Sequence, residues 1–265
     1  MINWMKYRLS YLIISSVVIG AGLFSLIKWG LPVGIDFTGG VIAEYKFSNG
    51  ENKTFRYGVL SKEESEKIRQ DFKNQNAEEI RFESVGPSVG PDLVKKTIIA
   101  LVISASGILL WIAYRFKSFK FGISAVLGML HDSAVLIGSF SLLGHFFGAE
   151  IDFLFVTALL TILSFSVHDT IVNYDRIRES QRKFGGDLYD LANKATSETM
   201  VRSLNNSFTI IFMLVALILL GGESIRWFAM ALLIGTVSGT YSSPFVSVAI
   251  LVTWDEIVKK LRLRK

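Results

Sequence analysis

Six stretches of this 265-residue chain are long enough to cross a bilayer and carry almost no charge. They cover residues 9–27, 97–114, 121–149, 153–174, 203–222 and 227–254. A spanning helix needs about 20 mostly apolar residues at about 1.5 Å rise each. The pattern therefore predicts six transmembrane helices. Composition agrees: 51% of residues are hydrophobic and 19% charged, where a soluble chain carries about 25% charged. So much apolar surface excludes a disordered chain. The absence of cysteine excludes a disulfide scaffold, thiol nucleophiles and thiolate metal sites. The first run, between Arg8 and Lys28, lacks a small-residue cleavage site and reads as an anchor rather than a signal peptide.

Net charge is +5, and its placement matters more than its sum. Lys6 and Arg8 precede the first span, and Arg115, Lys117 and Lys120 fill the turn after the second. Arg176, Arg178, Arg182, Lys183, Lys194 and Arg202 lie between the fourth and fifth spans, and Lys259, Lys260, Arg262, Arg264 and Lys265 end the chain. Every one of these falls on the same side, which the positive-inside rule makes cytoplasmic, with both termini there. The same rule accounts for the basic loops without a nucleic-acid partner.

The chain then divides into a cytoplasmic N-terminus and first span at 1–28 and an external domain at 29–95. The remaining five spans at 96–254 enclose a cytoplasmic loop at 175–202, and a basic tail covers 255–265. In the external domain, 41–47 reads as a strand and 80–85 alternates as a second one. Between them Ser61 and Glu64 form a capping box that opens a helix over 62–74. Asn49-Gly50 and the Gly-Pro-rich segment 86–91 are turn chemistry. The expected fold is an α-helical polytopic membrane protein, six helices plus a small β–α–β (ferredoxin-like) external domain.

Charges inside spans are costly and mark candidate sites. Asp132 lies 12 residues past Lys120, about 18 Å into the membrane. Asp169 lies in the cytoplasmic half of the fourth span, and Arg202 opens the fifth from that same side. Ser166, Asp169, Asn173 and Arg176 share one helical face, as do Arg202, Asn206 and Thr209. Ser124, Gly128, Asp132 and Ser139 form a third polar stripe. Such stripes are expected to face the bundle interior. Burial disfavours an ionised carboxylate and a nearby arginine favours it, so a carboxylate that gains and loses an arginine partner is a proton switch. A permanent structural ion pair is the alternative.

His131-Asp132 and His168-Asp169 invite a metal or hydrolase reading. Adjacent helical residues point about 100° apart, which is poor for chelating one ion, and no H-E-x-x-H motif or phosphate loop is present. No metal or other cofactor is expected. Gly235-Thr236-Val237-Ser238-Gly239 matches G-x-x-x-G, whose plain reading is tight helix packing.

Several motifs together resemble the SecD/SecF family of the resistance-nodulation-division superfamily. Gly34-Ile35-Asp36-Phe37-Thr38-Gly39-Gly40 is similar to its G-x-D-F-x-G-G element, and Val85-Gly86-Pro87-Ser88-Val89-Gly90 to its V-G-P-x-V-G element. His131-Asp132 matches its H-D pair. Asp169-Thr170-Ile171-Val172 through Asp175-Arg176-Ile177-Arg178-Glu179 is similar to its D-T-I-V-x-x-D-R-I-R-E signature. His168 departs from the Asn more usual there. A short external domain fits the smaller-domain half of the family. The resemblance implies a proton path through Asp169 and Arg202, with Asp132 secondary, and a non-enzymatic, proton-coupled translocase role. It also implies SecD, the SecYEG channel, YajC and YidC as partners, an unfolded preprotein as substrate, and the bacterial inner membrane as location. Gly39 and Gly40 permit backbone angles other residues avoid, so the junction is either a hinge or a simple tight turn. The competing function is one half of a proton-driven lipid or small-molecule exporter of that superfamily.

Overall fold

The apolar runs become helices, most of which extend past their apolar limits. The computed structural model describes residues 2–86 and 89–263. Pro87 and Ser88 of the V-G-P-x-V-G element, and Arg264 and Lys265 of the basic tail, lie outside the described residues. Six helices are long and apolar enough to cross a membrane, at Trp4–Trp29, Val89–Phe116, Phe119–Phe147, Phe153–Phe184, Leu188–Leu220 and Glu223–Leu261. Four contain an expected span whole, and the helices ending at Phe147 and Leu220 each stop two residues short of theirs.

The chain forms two compact units. One holds Met1–Pro32, Leu101–Ala149 and Leu154–Lys265, the other Val33–Ala100 with Glu150–Phe153. The first is a helix bundle. A 3₁₀ turn at Trp4–Tyr7 leads into α1 (Arg8–Trp29). The four-residue α2 (Ile35–Thr38) and α3 (Lys62–Asn74) belong to the other unit. Next come α4 (Val89–Phe116), α5 (Phe119–Phe147), α6 (Phe153–Phe184) and α7 (Leu188–Leu220). The segment expected as a loop at 175–202 is therefore helical on both sides of a turn at 185–187. Gly185 and Gly186, both at positive φ, supply that turn.

The sixth span is α8 (Glu223–Ser242) joined to α9 (Val248–Leu263) through a π-helical turn, Ser243–Ser247. Pro244 lies in the first positions of that turn. Proline has no N–H to give the preceding turn, and a wider turn absorbs the lost bond. The expected tail at 255 onward continues α9. Asp255 pairs with Lys120 at 2.5 Å, and Glu256 accepts hydrogen bonds from Nη1 and Nη2 of Arg8.

Close helix approach depends on missing side chains. A Cβ on Gly138 of α5 would lie 2.6 Å from Gly22 Cα of α1. One turn on, Ser25 and Ser141 hydroxyls meet at 2.7 Å, and Ser141 also donates to Gly30 O. The buried core between helices includes Met129, Leu163, Tyr174, Ile177 and Leu251.

The second unit is a three-stranded antiparallel sheet in the order β2-β1-β3 with α3 on it. β1 is Gly40–Lys46, β2 Asn52–Tyr57 and β3 Glu78–Val85. The capping box is present, with Glu64 N to Ser61 Oγ at 3.2 Å and Ser61 N to Glu64 Oε2 at 2.8 Å. The expected β–α–β path differs from the observed one. β1 forms a hairpin with β2 through Asn49-Gly50, and the crossover helix joins β2 to β3 on either side of β1. Tyr45, Phe72 and Ala43 make the core, with Phe55 and Phe82 packed against it.

Candidate functional site

Asp132 sits in the middle of α5 and is fully buried. Its Oδ2 accepts from Ser166 of α6 at 2.5 Å and from Ser242 of α8 at 2.6 Å. Its Oδ1 accepts from Ser238 of α8 at 2.6 Å and faces His131 Nδ1 at 3.1 Å. Three helices thus converge on one carboxylate through small hydroxyl side chains. The G-x-x-x-G pair makes this possible. A Cβ on Gly239 would lie 3.2 Å from Ser166 Cβ, and one on Gly235 would overlap Ile162. The motif holds α8 against α6 inside the bundle.

Asp169 is half-buried on α6, and its Oδ2 accepts from Ser203 of α7 at 2.8 Å. The π turn feeds the space between the two acids. Ser243 Oγ accepts from Thr170 at 3.1 Å and donates to Ser166 O at 3.1 Å. A turn further, Asn173 Oδ1 accepts from Thr199 at 2.7 Å, and Tyr174 OH donates to Ser247 O. These polar groups form a column along α6, closed by α7 on one side and by α8 with the π turn on another.

Arg202 is not in that column. It is exposed and lines a cavity of about 870 Å³ with Arg115, Asp175, Arg176, Arg178, Glu179 and Glu198. Among the described residues no ion pair joins Asp169 to Arg202. The expected inward stripe of Arg202, Asn206 and Thr209 is exposed instead, and the buried face of α7 is Thr196, Thr199, Ser203 and Ser207. One residue of rotation separates the two stripes. Small hydroxyl residues pack between helices, whereas an arginine is too large for that close contact. The 3- and 4-residue spacing of Thr196, Thr199, Ser203 and Ser207 carries the signal for the true face.

The charged end of α6 ties its neighbours. Asp175 pairs with Arg115 of α4 at 3.3 Å, and Arg178 donates to Arg115 O at 2.7 Å. Arg176 pairs with Glu198 of α7 and with Glu179, which also meets Lys183 at 2.6 Å. The signature residues of the fourth span thus form a bracket between helices.

Gly34, Asp36, Phe37, Gly39 and Gly40 belong to the sheet unit. Gly39 has φ +73° and Gly40 φ +129°, both left-handed-side angles that side chains rarely adopt. Gly40 also lies so close to Tyr57 O that a Cβ would meet it at 2.7 Å.

A family model described as "Protein export membrane protein SecD/SecF, C-terminal" matches residues 64–257. The protein translocase subunit SecF of Thermobaculum terrenum is 40% identical over 299 residues, covering 96% of this chain and 94% of that protein. That of Anaerolinea thermophila is 33% identical with the same coverage. The crystal structure of the translocon-associated membrane protein SecDF from Thermus thermophilus superposes with a TM-score of 0.87 at 28% identity, over 96% of this chain. This chain spans 39% of that solved chain.

Proposed function

Because the chain belongs to the SecD/SecF family, we propose that it works as the smaller-domain half of a proton-coupled protein translocase, with Asp169 and Asp132 as its proton-bearing groups. It is a multi-pass membrane protein and a protein translocase subunit. The observation that carries the proton reading is the buried polar column, where two carboxylates in an otherwise apolar interior are held by hydroxyls rather than by fixed countercharges. Protonation changes what such a carboxylate can accept and donate, and so which helix arrangement is favoured. Preprotein is the substrate, drawn across the bacterial inner membrane with both termini of this chain in the cytoplasm.

The other half is SecD, and the pair serves the SecYEG channel, with YajC and YidC as further associates. An exposed polar face supports a second half. His168, Arg202, Asn205 and Asn206 are exposed on helices that cross the membrane. Charged and amide groups at that depth are costly against lipid, and a second bundle covers them at no such cost. The exporter alternative draws no support from these relatives, which are translocase subunits.

The test is export into inverted membrane vesicles with and without an imposed proton gradient. Asp169→Asn is expected to co-purify with SecD, to retain ATP-driven initiation, and to lose gradient stimulation. Full gradient stimulation in that variant contradicts the proton role of Asp169.

A further inference from the structure

The segment between α1 and β1 makes contacts that the proton reading does not use. Val33 bridges Ile151 in parallel, and Gly34 N donates to Ile151 O at 2.8 Å. Asp36 Oδ2 accepts from Phe153 N at 2.9 Å, and Phe153 is the first residue of α6. The first N–H groups of a helix lack partners within it and form its positive end. Asp36 brings a carboxylate to that end from 117 residues away. Beside it Arg56, on β2, pairs with Glu150.

The same strap is held from its other side. A Cβ on Gly90 would lie 2.2 Å from Phe37 O, and Gly40 is as tightly placed against Tyr57 O. The strap therefore has little freedom to slide over the sheet unit. Its carboxylate nevertheless sits on a helix that leaves this unit and runs unbroken through Phe184.

We infer that Asp36 is a positioning residue that ties the sheet unit to the start of α6, so that movement of the external domain and the register of Asp169 are coupled through this one helix. The inference rests on the proton reading of Asp169 given above. Asp169 lies 16 residues beyond Phe153, about 24 Å along the helix axis. No joint intervenes, because α6 contains neither proline nor a π turn. A shift imposed at the cap reaches the carboxylate, and a shift driven by protonation of Asp169 reaches the strap. The G-x-D-F-x-G-G element then has three separate duties. Gly34 bonds Ile151 just ahead of α6, Asp36 caps the helix, and Gly40 lets the chain turn into β1.

The chain lacks cysteine, so a covalent substitute for the cap can be tested cleanly. Val33→Cys with Ile151→Cys replaces a β-bridged pair, and neighbouring strands lie about 4.8 Å apart, inside the Cα range of a disulfide. The intact translocase complex is assayed in inverted vesicles for gradient-stimulated export. Asp36→Ala is expected to lower that stimulation about tenfold or more, as the loss of one charge-assisted hydrogen bond implies. Oxidising the cysteine pair in the Asp36→Ala background is expected to restore it, and reductant to abolish the rescue. If Asp36→Ala reduces the amount inserted, Asp36→Asn replaces it, with about a twofold loss expected and the same rescue. Unchanged stimulation in the Asp36 variant, or a loss the oxidised pair does not restore, overturns the inference. Asp169→Asn run alongside separates the two claims. If Asp169→Asn keeps its stimulation, the proton reading fails. If Asp169→Asn loses it while Asp36→Ala keeps it, the tie through Asp36 fails alone.

Discussion

Ser203 Oγ donates to Asp169 Oδ2 at 2.8 Å, while Arg202, the residue before it on α7, is exposed and makes no ion pair with that carboxylate among the described residues. The carboxylate of the fourth span is thus held by a neutral donor. A neutral donor can be released or reversed by protonation without separating an ion pair, which in a low-dielectric interior is costly.

Ser203→Ala removes that donor and leaves Asp169 with fewer partners. Gradient-stimulated export is expected to fall about tenfold or more, the scale of one hydrogen bond to a charged group, with insertion unchanged. Ser203→Thr keeps a hydroxyl and should behave close to the parent. Equal loss in both variants would point to packing rather than to the hydrogen bond. The measurement is export into inverted vesicles at several imposed gradients.

The α1–α5 crossing predicts a packing effect with no role in proton transfer. Gly138→Ala places a methyl 2.6 Å from the backbone of Gly22, and backbone cannot rotate aside. The bundle should lose about 1–3 kcal/mol, the range for overpacking a filled contact. Thermal unfolding of the detergent-solubilised protein reads this directly. Gly20→Ala, on the partner helix α1 with open space around it, is the control and should unfold like the parent.

The sheet unit carries a pH signature. Tyr45 is buried beneath α3, and that burial, assisted by Glu79, pushes its hydroxyl up to about 12. An unfolded tyrosine titrates near about 10. Below that value the neutral phenol is present in both states and the folded unit keeps its full stability. Between the two values the unfolded chain loses its proton first, so stability falls as pH rises. Tyr45→Phe should remove this part of the alkaline loss. Tyrosinate absorbance followed against pH checks it, and an unchanged alkaline profile in Tyr45→Phe counts against the assignment.

Orientation gives a further expectation. Tags inserted at Gly185 and at the C-terminus should report cytoplasm, and a tag at Asn49 the outside. Protease access to Gly185 from outside intact cells contradicts the arrangement.

The apolar runs made the six helices legible, because length without charge has few other uses. Ser61 and Glu64 made α3 legible to the residue, since a capping box names its own first turn. β2 was not legible. Asn52–Tyr57 is an edge strand with mostly exposed side chains, so burial never imprinted an apolar alternation on it. The polar column was half legible. Charged residues draw the eye, and Asp132 and Asp169 both lie in or at it. The serines that hold them, among them Ser203, Ser238 and Ser242, are small and common, and only helix pairing brings them together. The turn at Ser243–Ser247 was hidden because Pro244 in an apolar run marks a disturbance but not its kind.

The central claim is that Asp169 must change its protonation for the gradient to assist export. Asp169→Asn keeps size and shape, leaves Ser203 an acceptor, and fixes the side chain neutral. The measurement is the initial rate of preprotein export into inverted vesicles, with ATP saturating, compared with and without an imposed proton gradient. The account predicts that the variant assembles normally, keeps the ATP-driven rate, and shows no added rate from the gradient. Full gradient stimulation in Asp169→Asn would contradict it, and would leave Asp132 as the remaining buried carboxylate to carry the proton.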